Sequence, residues 1–145
     1  MVTAKQIAEV LGGAKTLGRP VASMLELDEI ITEGLPRSAF DELVSHLVAG
    51  SEERRRVEIR DKIIPRATYQ RARRLNLHYS ETTERLARVY AMVRALWQNE
   101  LVACRFMSTP HPELGGKTPL EAALTEIGGR QVEEIIERGL YGLPV

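Results

Sequence analysis

Apolar residues recur along this chain at the three- and four-residue spacing of helices almost from end to end, and no stretch alternates apolar and polar positions between turn residues as a strand would. The pattern predicts an all-α fold. Ile7, Val10 and Leu11 share one face of a helix from Ala4 to Leu11, opened by a capping box of Thr3 and Gln6 and ended by Gly12-Gly13. Ala14 to Ser23, with a glycine and a proline, is expected to be an irregular connector. Leu27, Ile30 and Ile31 mark a short helix from Leu25 to Glu33 closed by Gly34. Pro36 opens the next, where Phe40, Leu43, Val44, Leu47 and Val48 fall at i, i+3, i+4, i+7 and i+8.

Ser51 is the expected cap of a helix from Glu52 onward, whose two leading acids suit the positive end of the helix dipole. Val57 and Ile59 are its few apolar anchors. Pro65 breaks the pattern and Arg66 to Leu75 restarts as a short basic helix, so two helices separated by a few residues form a helix-turn-helix candidate. The longest element is expected from Glu81 to Met107, with Leu86, Val89, Tyr90, Val93, Leu96, Trp97, Leu101 and Cys104 on one broad stripe. The chain should then reverse through Thr109-Pro110-His111-Pro112-Glu113-Leu114-Gly115-Gly116-Lys117, because Pro110 and Pro112, with Pro119 just beyond, and the two glycines restrict the turn to one shape. Thr118, Pro119 and Glu121 read as the N-cap, first residue and capping-box arm of a helix to Ile127 ended by Gly128-Gly129. A last helix is expected from Arg130 to Arg138, stopped by Gly139.

At 145 residues, 43% hydrophobic and 28% charged, the chain has enough apolar surface for a core without staples. It contains no apolar run long enough to cross a membrane and no signal-type leader after Met1, which points to the cytoplasm. The single cysteine, Cys104, lies among apolar neighbours and reads as a packing residue. His46, His78 and His111 lack the spacing of a metal site, and no nucleophile, base or paired carboxylate cluster is forced together, so neither metal, cofactor nor small-molecule substrate is expected. Gly116-Lys117-Thr118 imitates the end of a phosphate-binding loop, but His111 occupies the position of the required first glycine and Pro119 removes an N–H.

The formal net charge is zero, yet it is unevenly spread. From Glu52 to Arg74 nine basic side chains face four acidic ones, a local excess of five that suits contact with a phosphate backbone. Tyr69, Ala72 and Leu75 are spaced to face inward. Arg66, Thr68, Gln70, Arg71 and Arg74 are then available to base edges and phosphates, with Arg54, Arg55 and Arg56 fixing the duplex from the preceding helix. At the other end, Leu140-Tyr141-Gly142-Leu143-Pro144-Val145 is an apolar tail. Inserted into a concave pocket it would bury Tyr141, Leu143 and Val145 while Arg138 reaches a carboxylate at the rim. Folding back onto its own core is the other course open to it.

Leu86-Ala87-Arg88-Val89, Trp97, the Thr109 to Glu121 segment, Gly128-Gly129, Val132 and Tyr141-Gly142 together resemble the C-terminal domain of the Xre/MbcA/ParS antitoxin family, from Glu84 to Tyr141. The resemblance implies a helix-turn-helix region over residues 1–79 followed by a compact helical toxin-binding domain over 80–145. It also implies a co-encoded RES-type toxin, an NAD-destroying enzyme, as the partner whose substrate site is obstructed. Where relatives commonly read Arg-Ile-Glu-Tyr-Gly, this chain has Arg138-Gly139-Leu140-Tyr141-Gly142 and lacks the acid. The expected function is an antitoxin, not an enzyme, that also represses its operon as a homodimer on operator DNA. The alternative is a stand-alone helix-turn-helix regulator whose C-terminal helices serve oligomerisation.

Overall fold

A computed structural model describes residues 2–145, in which the chain folds into α-helices and no β-strand is formed among the described residues. The first four are α1 (Ala4–Val10), α2 (Gly13–Leu17), α3 (Met24–Glu33) and α4 (Arg37–Leu47). Then come α5 (Glu53–Ile63), α6 (Arg66–Arg71), α7 (Leu77–Trp97) and α8 (Glu100–Ser108). A 3₁₀ turn (Pro112–Leu114) leads to α9 (Pro119–Ala122) and α10 (Glu126–Leu140). Both expected capping boxes are formed, Thr3 with Gln6 on α1 and Thr118 with Glu121 on α9. The apolar positions of α4 are all buried, with Phe40 and Leu43 fully enclosed.

α7 organises the packing. Its Leu86, Ala87, Val89 and Val93 are fully buried and Tyr90 nearly so, against α1, α3 and α4 on one side and α8 and α10 on the other. Each such large apolar side chain contributes about 1.5–3 kcal/mol by leaving water. Exposed pairs such as Arg130 with Glu126 contribute about 0–1 kcal/mol, so the stripe and not the surface charge decides the fold. Arg88 adds a clamp between helices: it pairs with Glu84 at 2.8 Å and with Glu133 of α10 at 2.7 Å. Burial raises the Glu84 carboxyl above its usual range despite the opposing pull of Arg88.

Several expectations need correction. The presumed irregular connector contains α2, and Glu52, not Ser51, takes the N-cap position of α5 without a side-chain hydrogen bond. The long helix starts earlier, at Leu77, because the Asn76 side chain accepts from the Tyr79 N–H at 2.8 Å. It also ends earlier. Gln98 adopts a left-handed φ of 52° and Asn99 caps a separate α8 by accepting from Val102 N–H at 3.0 Å, so Leu101 turns out to solvent. The basic helix α6 stops at Arg71 because Ala72 to Leu75 is drawn out against Leu35 to Arg37: Arg37 N–H donates to Arg73 O at 3.0 Å and Leu75 N–H to Leu35 O at 2.8 Å.

Gly128 and Gly129 do not stop a helix; they lie within the first turn of α10, buried and closely approached. Thr125 caps this helix by accepting from Gly128 N–H at 3.1 Å. A Cβ on Gly128 would overlap the Ala122 carbonyl oxygen, and one on Gly129 would meet Arg85 Cδ at 2.7 Å. Absence of a side chain is what lets α10 seat against α9 and α7. Gly128→Ala should therefore destabilise the protein by about 1–3 kcal/mol in urea unfolding, as overpacking does. A substitution that leaves the midpoint unchanged would show that α10 can shift to make room.

Candidate functional site

The end of α7, α8, the turn at 109–117 and the end of α10 converge on one tip of the molecule. Trp97 packs against Phe106 of α8 with ring centroids 5.1 Å apart, and Phe106 meets the edge of His111 in the turn at 6.4 Å. The turn closes through His111 N–H to Lys117 O at 3.0 Å and Gly116 N–H to His111 O at 3.3 Å, burying Leu114. Glu113 in this turn receives the Arg138 guanidinium at 2.6 Å, which ties the turn to the last helix. The segment that reverses the chain thus also fixes where α10 ends.

α10 runs through Gly139 to Leu140, so the expected stop at Gly139 is wrong; a Cβ there would come within 2.8 Å of Leu96 and 2.6 Å of Val145. The real stop is Gly142. Its N–H donates to Gly139 O at 3.0 Å, Leu143 N–H donates to Arg138 O at 2.9 Å, and Gly142 has φ +77°. These paired bonds are a Schellman closure, which needs a left-handed residue at the position Gly142 fills. The Tyr141-Gly142 pair is therefore a helix terminator that sets the path of the tail.

That path leaves apolar surface in water. Tyr141 is 84% exposed, and Leu140, Leu143 and Val145 are exposed as well, with Trp97 at the border. Leu143 and Tyr141 overlook a hollow of about 510 Å³ with Ile135 at its wall and Glu113, Glu134 and Arg138 around it. Arg138 differs from expectation in one respect: its guanidinium is engaged by Glu113 within the molecule. Pro144 continues the tail beyond the Schellman closure, and Val145 returns to the Gly139 and Leu96 surface. A second group of exposed apolar residues, Met24, Leu25 and Leu77, lies elsewhere, where α3 meets the start of α7.

The basic residues sort differently. Only Ile64 and Pro65 separate α5 from α6. The triplet Arg54-Arg55-Arg56 splays around α5, as consecutive helical residues must. Arg54 and Arg55 reach Glu58 at 3.5 and 3.9 Å, and Arg56 turns to Glu53 and the Ser45 hydroxyl of α4. Arg66 pairs with Asp61 at 2.8 Å. Thr68, Gln70 and Arg71 lie on α6, while Arg74 lies beyond it and donates to Gly34 O at 2.9 Å, an internal tie. Tyr69 faces inward as expected: its ring sits between Arg37 at 4.9 Å and Arg60 at 4.6 Å, and its hydroxyl donates to Asp41 at 2.6 Å. Reading the chain alone missed Arg37, which comes from α4 to the end of α6; no local signal in the sequence joins them.

Cys104 is half-buried with its thiol on the Leu47 carbonyl, and burial pushes its pKa up. Among the described residues no group of three His, Cys, Asp or Glu side chains is arranged to hold a metal ion, and no helix is long and apolar enough to cross a membrane.

Residues 92–142 match the family model of the C-terminal toxin-binding domain of the antitoxins Xre, MbcA and ParS, a segment that contains Trp97, Phe106, Glu113, Arg138 and Tyr141. The tip is thus part of a toxin-binding domain. The chain is also 30% identical over 120 residues to the antitoxin Xre of Pseudomonas putida strain KT2440, across 80% of this chain and 72% of that protein. It belongs to the Xre/MbcA/ParS antitoxin family and is a toxin-binding antitoxin.

The tie between turn and helix has a pH signature. The hydrogen bond from Arg138, with desolvation opposing it and the Arg138 charge reinforcing it, holds the Glu113 carboxyl below its ordinary value of 4.5. A depressed carboxylate stabilises the fold above the unfolded-state value and loses that contribution as pH falls through the folded one. A carbon-detected titration should therefore give Glu113 a midpoint below 4.5, and Arg138→Ala should return it to the ordinary range; an unshifted midpoint in the native protein would show that the pair does not persist in solution.

Proposed function

We propose that this antitoxin neutralises a RES-type, NAD-degrading toxin by seating its C-terminal tip over the toxin's substrate site, and that it represses its own operon through α5 and α6. The observation that carries the reading is an apolar tail held in a defined shape while its aromatic residue stays bare. Tyr141 has no covering partner although the Schellman closure and the Arg138–Glu113 pair fix its backbone. A preformed tip loses less conformational entropy on docking, so more of the buried area appears as affinity.

In this reading residues 80–145 form the toxin-binding domain and residues 1–79 the DNA-binding one. Leu140, Tyr141, Leu143 and Val145 enter the toxin, Gly142 and Pro144 set the tail's direction, and Arg138, held by Glu113, offers its remaining N–H groups to a toxin carboxylate at the rim. Arg66, Thr68 and Gln70 meet base edges from α6, with Arg54, Arg55, Arg56, Arg71 and Arg74 supplying charge toward the backbone. Two copies act as a homodimer on a partly palindromic operator, in the cytoplasm, with no catalytic role, cofactor or metal.

The test pairs the purified antitoxin with the toxin encoded beside its gene, following NAD consumption. Full-length antitoxin should arrest it, a form lacking Leu140 to Val145 should fail to do so while binding operator DNA as before, and Tyr141→Ala should weaken inhibition by about 30-fold, the roughly 2 kcal/mol of an anchoring aromatic. Full inhibition by the truncated form would overturn the tip as the blocking element, and a neighbouring toxin that spares NAD would overturn the RES assignment.

A further inference from the structure

Where the excess positive charge of the Glu52 to Arg74 segment is free to act is narrower than its composition suggests. Arg54, Arg55 and Arg56 are engaged by Glu58 and Glu53, Arg60 and Arg66 by Asp61, Lys62 by Glu121 of α9, and Arg74 by the Gly34 carbonyl. Of the nine basic residues in that segment, Arg71 and Arg73 alone have side chains with no ion-pair or hydrogen-bond partner among the described residues. Both are exposed, one at the end of α6 and the other two residues on.

The two arginines line a hollow of about 460 Å³ between α4 and α6, together with Arg37, Ser38 and Gln70. Arg37 donates to the carbonyls of Tyr69 and Gln70 at 3.2 and 3.4 Å and stacks on the Tyr69 ring, so it pins the end of α6 and adds a third positive charge. The one acid at the hollow, Asp41, is turned to the Tyr69 hydroxyl at 2.6 Å. The backbone beneath is rigid: Arg37 N–H to Arg73 O and Leu75 N–H to Leu35 O fasten the extended segment to the entry of α4. Like charges gathered on a fixed frame repel one another unless an anion joins them, and a frame that already holds them together spends little on ordering when one does.

We infer that this hollow is the phosphate clamp of the protein, in which Arg71 and Arg73 grip the sugar–phosphate backbone of a DNA duplex and Arg37 acts as a positioning residue. The inference rests on the nucleic-acid reading proposed for α5 and α6. It moves the principal backbone contact away from the Arg54 to Arg56 triplet and adds Arg73 and Arg37, neither of which that reading assigned.

The experiment measures binding of the full chain to a fluorescein-labelled duplex taken from upstream of its own gene, by anisotropy over a range of salt. Arg71→Ala/Arg73→Ala should weaken binding at least 10-fold at low salt and reduce the slope of log affinity against log salt by about 2, while its thermal unfolding midpoint stays that of the wild type. Arg71→Lys/Arg73→Lys keeps the charge and should keep the slope. Arg54→Ala/Arg55→Ala should weaken binding less than the Arg71/Arg73 pair. Unchanged affinity and slope in Arg71→Ala/Arg73→Ala, with a wild type that binds, would overturn the clamp and leave repression standing. A wild type that binds no duplex at any salt would overturn both. Displacement of the duplex by inorganic phosphate at matched ionic strength would instead make the hollow a small-anion pocket and overturn the backbone assignment.

Discussion

Burial of the α7 stripe is the constraint on which the rest of the molecule depends, because each candidate surface is anchored by elements that pack against it, the basic hollow by α4 and the tip by α8 and α10. Leu86, Ala87, Val89, Tyr90 and Val93 are enclosed by α1, α3 and α4 from the N-terminal half and by α8 and α10 from the C-terminal half. Each half needs α7 to cover its own apolar face. The Leu86-Ala87-Arg88-Val89 run acquires a physical meaning from this: three of its residues fill the core, and Arg88 bridges to Glu133 of α10. The basic hollow is set by how α4 receives the segment that enters α7, and the tip by how α7 ends.

At the tip, unrelated devices serve one outcome. The turn at 109–117 supplies Glu113, the last helix supplies Arg138, and Gly142 closes α10 in the left-handed conformation its φ of +77° requires. None of these contacts covers Tyr141. A surface ion pair contributes little to global stability, so the Arg138–Glu113 contact is better understood as fixing direction than as holding the fold together. Exposed aromatic and aliphatic surface at the end of a well-terminated helix is what an anchor into another protein's cavity needs, and it lies in or directly beside the segment shared with the toxin-binding domains of this family.

Much of this was legible in the sequence where the signal is local. Thr3 with Gln6 and Thr118 with Glu121 form as read, because a capping box involves only neighbours four residues wide. The α4 stripe and the closure of α3 at Gly34 also follow directly. Glycines were the weak point. Gly128, Gly129 and Gly139 looked like terminators, yet they are helix residues into which Ala122, Arg85, Leu96 and Val145 crowd, and only the fold reveals those neighbours. Conversely Gln98, no glycine at all, ends α7 in a left-handed conformation because Asn99 can begin a new helix beside it. The loss of helix after Arg71 has the same origin: pairing with Leu35 to Arg37, more than thirty residues away, outweighs local propensity. For the same reason Arg74 could be mistaken for a free donor and Arg37 overlooked.

The proposed mode of inhibition requires that the tip, and no other apolar surface, receive the toxin. Amide hydrogen exchange of the antitoxin alone and in complex with the toxin encoded beside it tests this most directly. Binding of the toxin should add strong protection over Arg138 to Leu143 and around Trp97 and leave α5 and α6 unchanged. Added protection around Met24, Leu25 and Leu77, with the tail exchanging as freely as before, would contradict it.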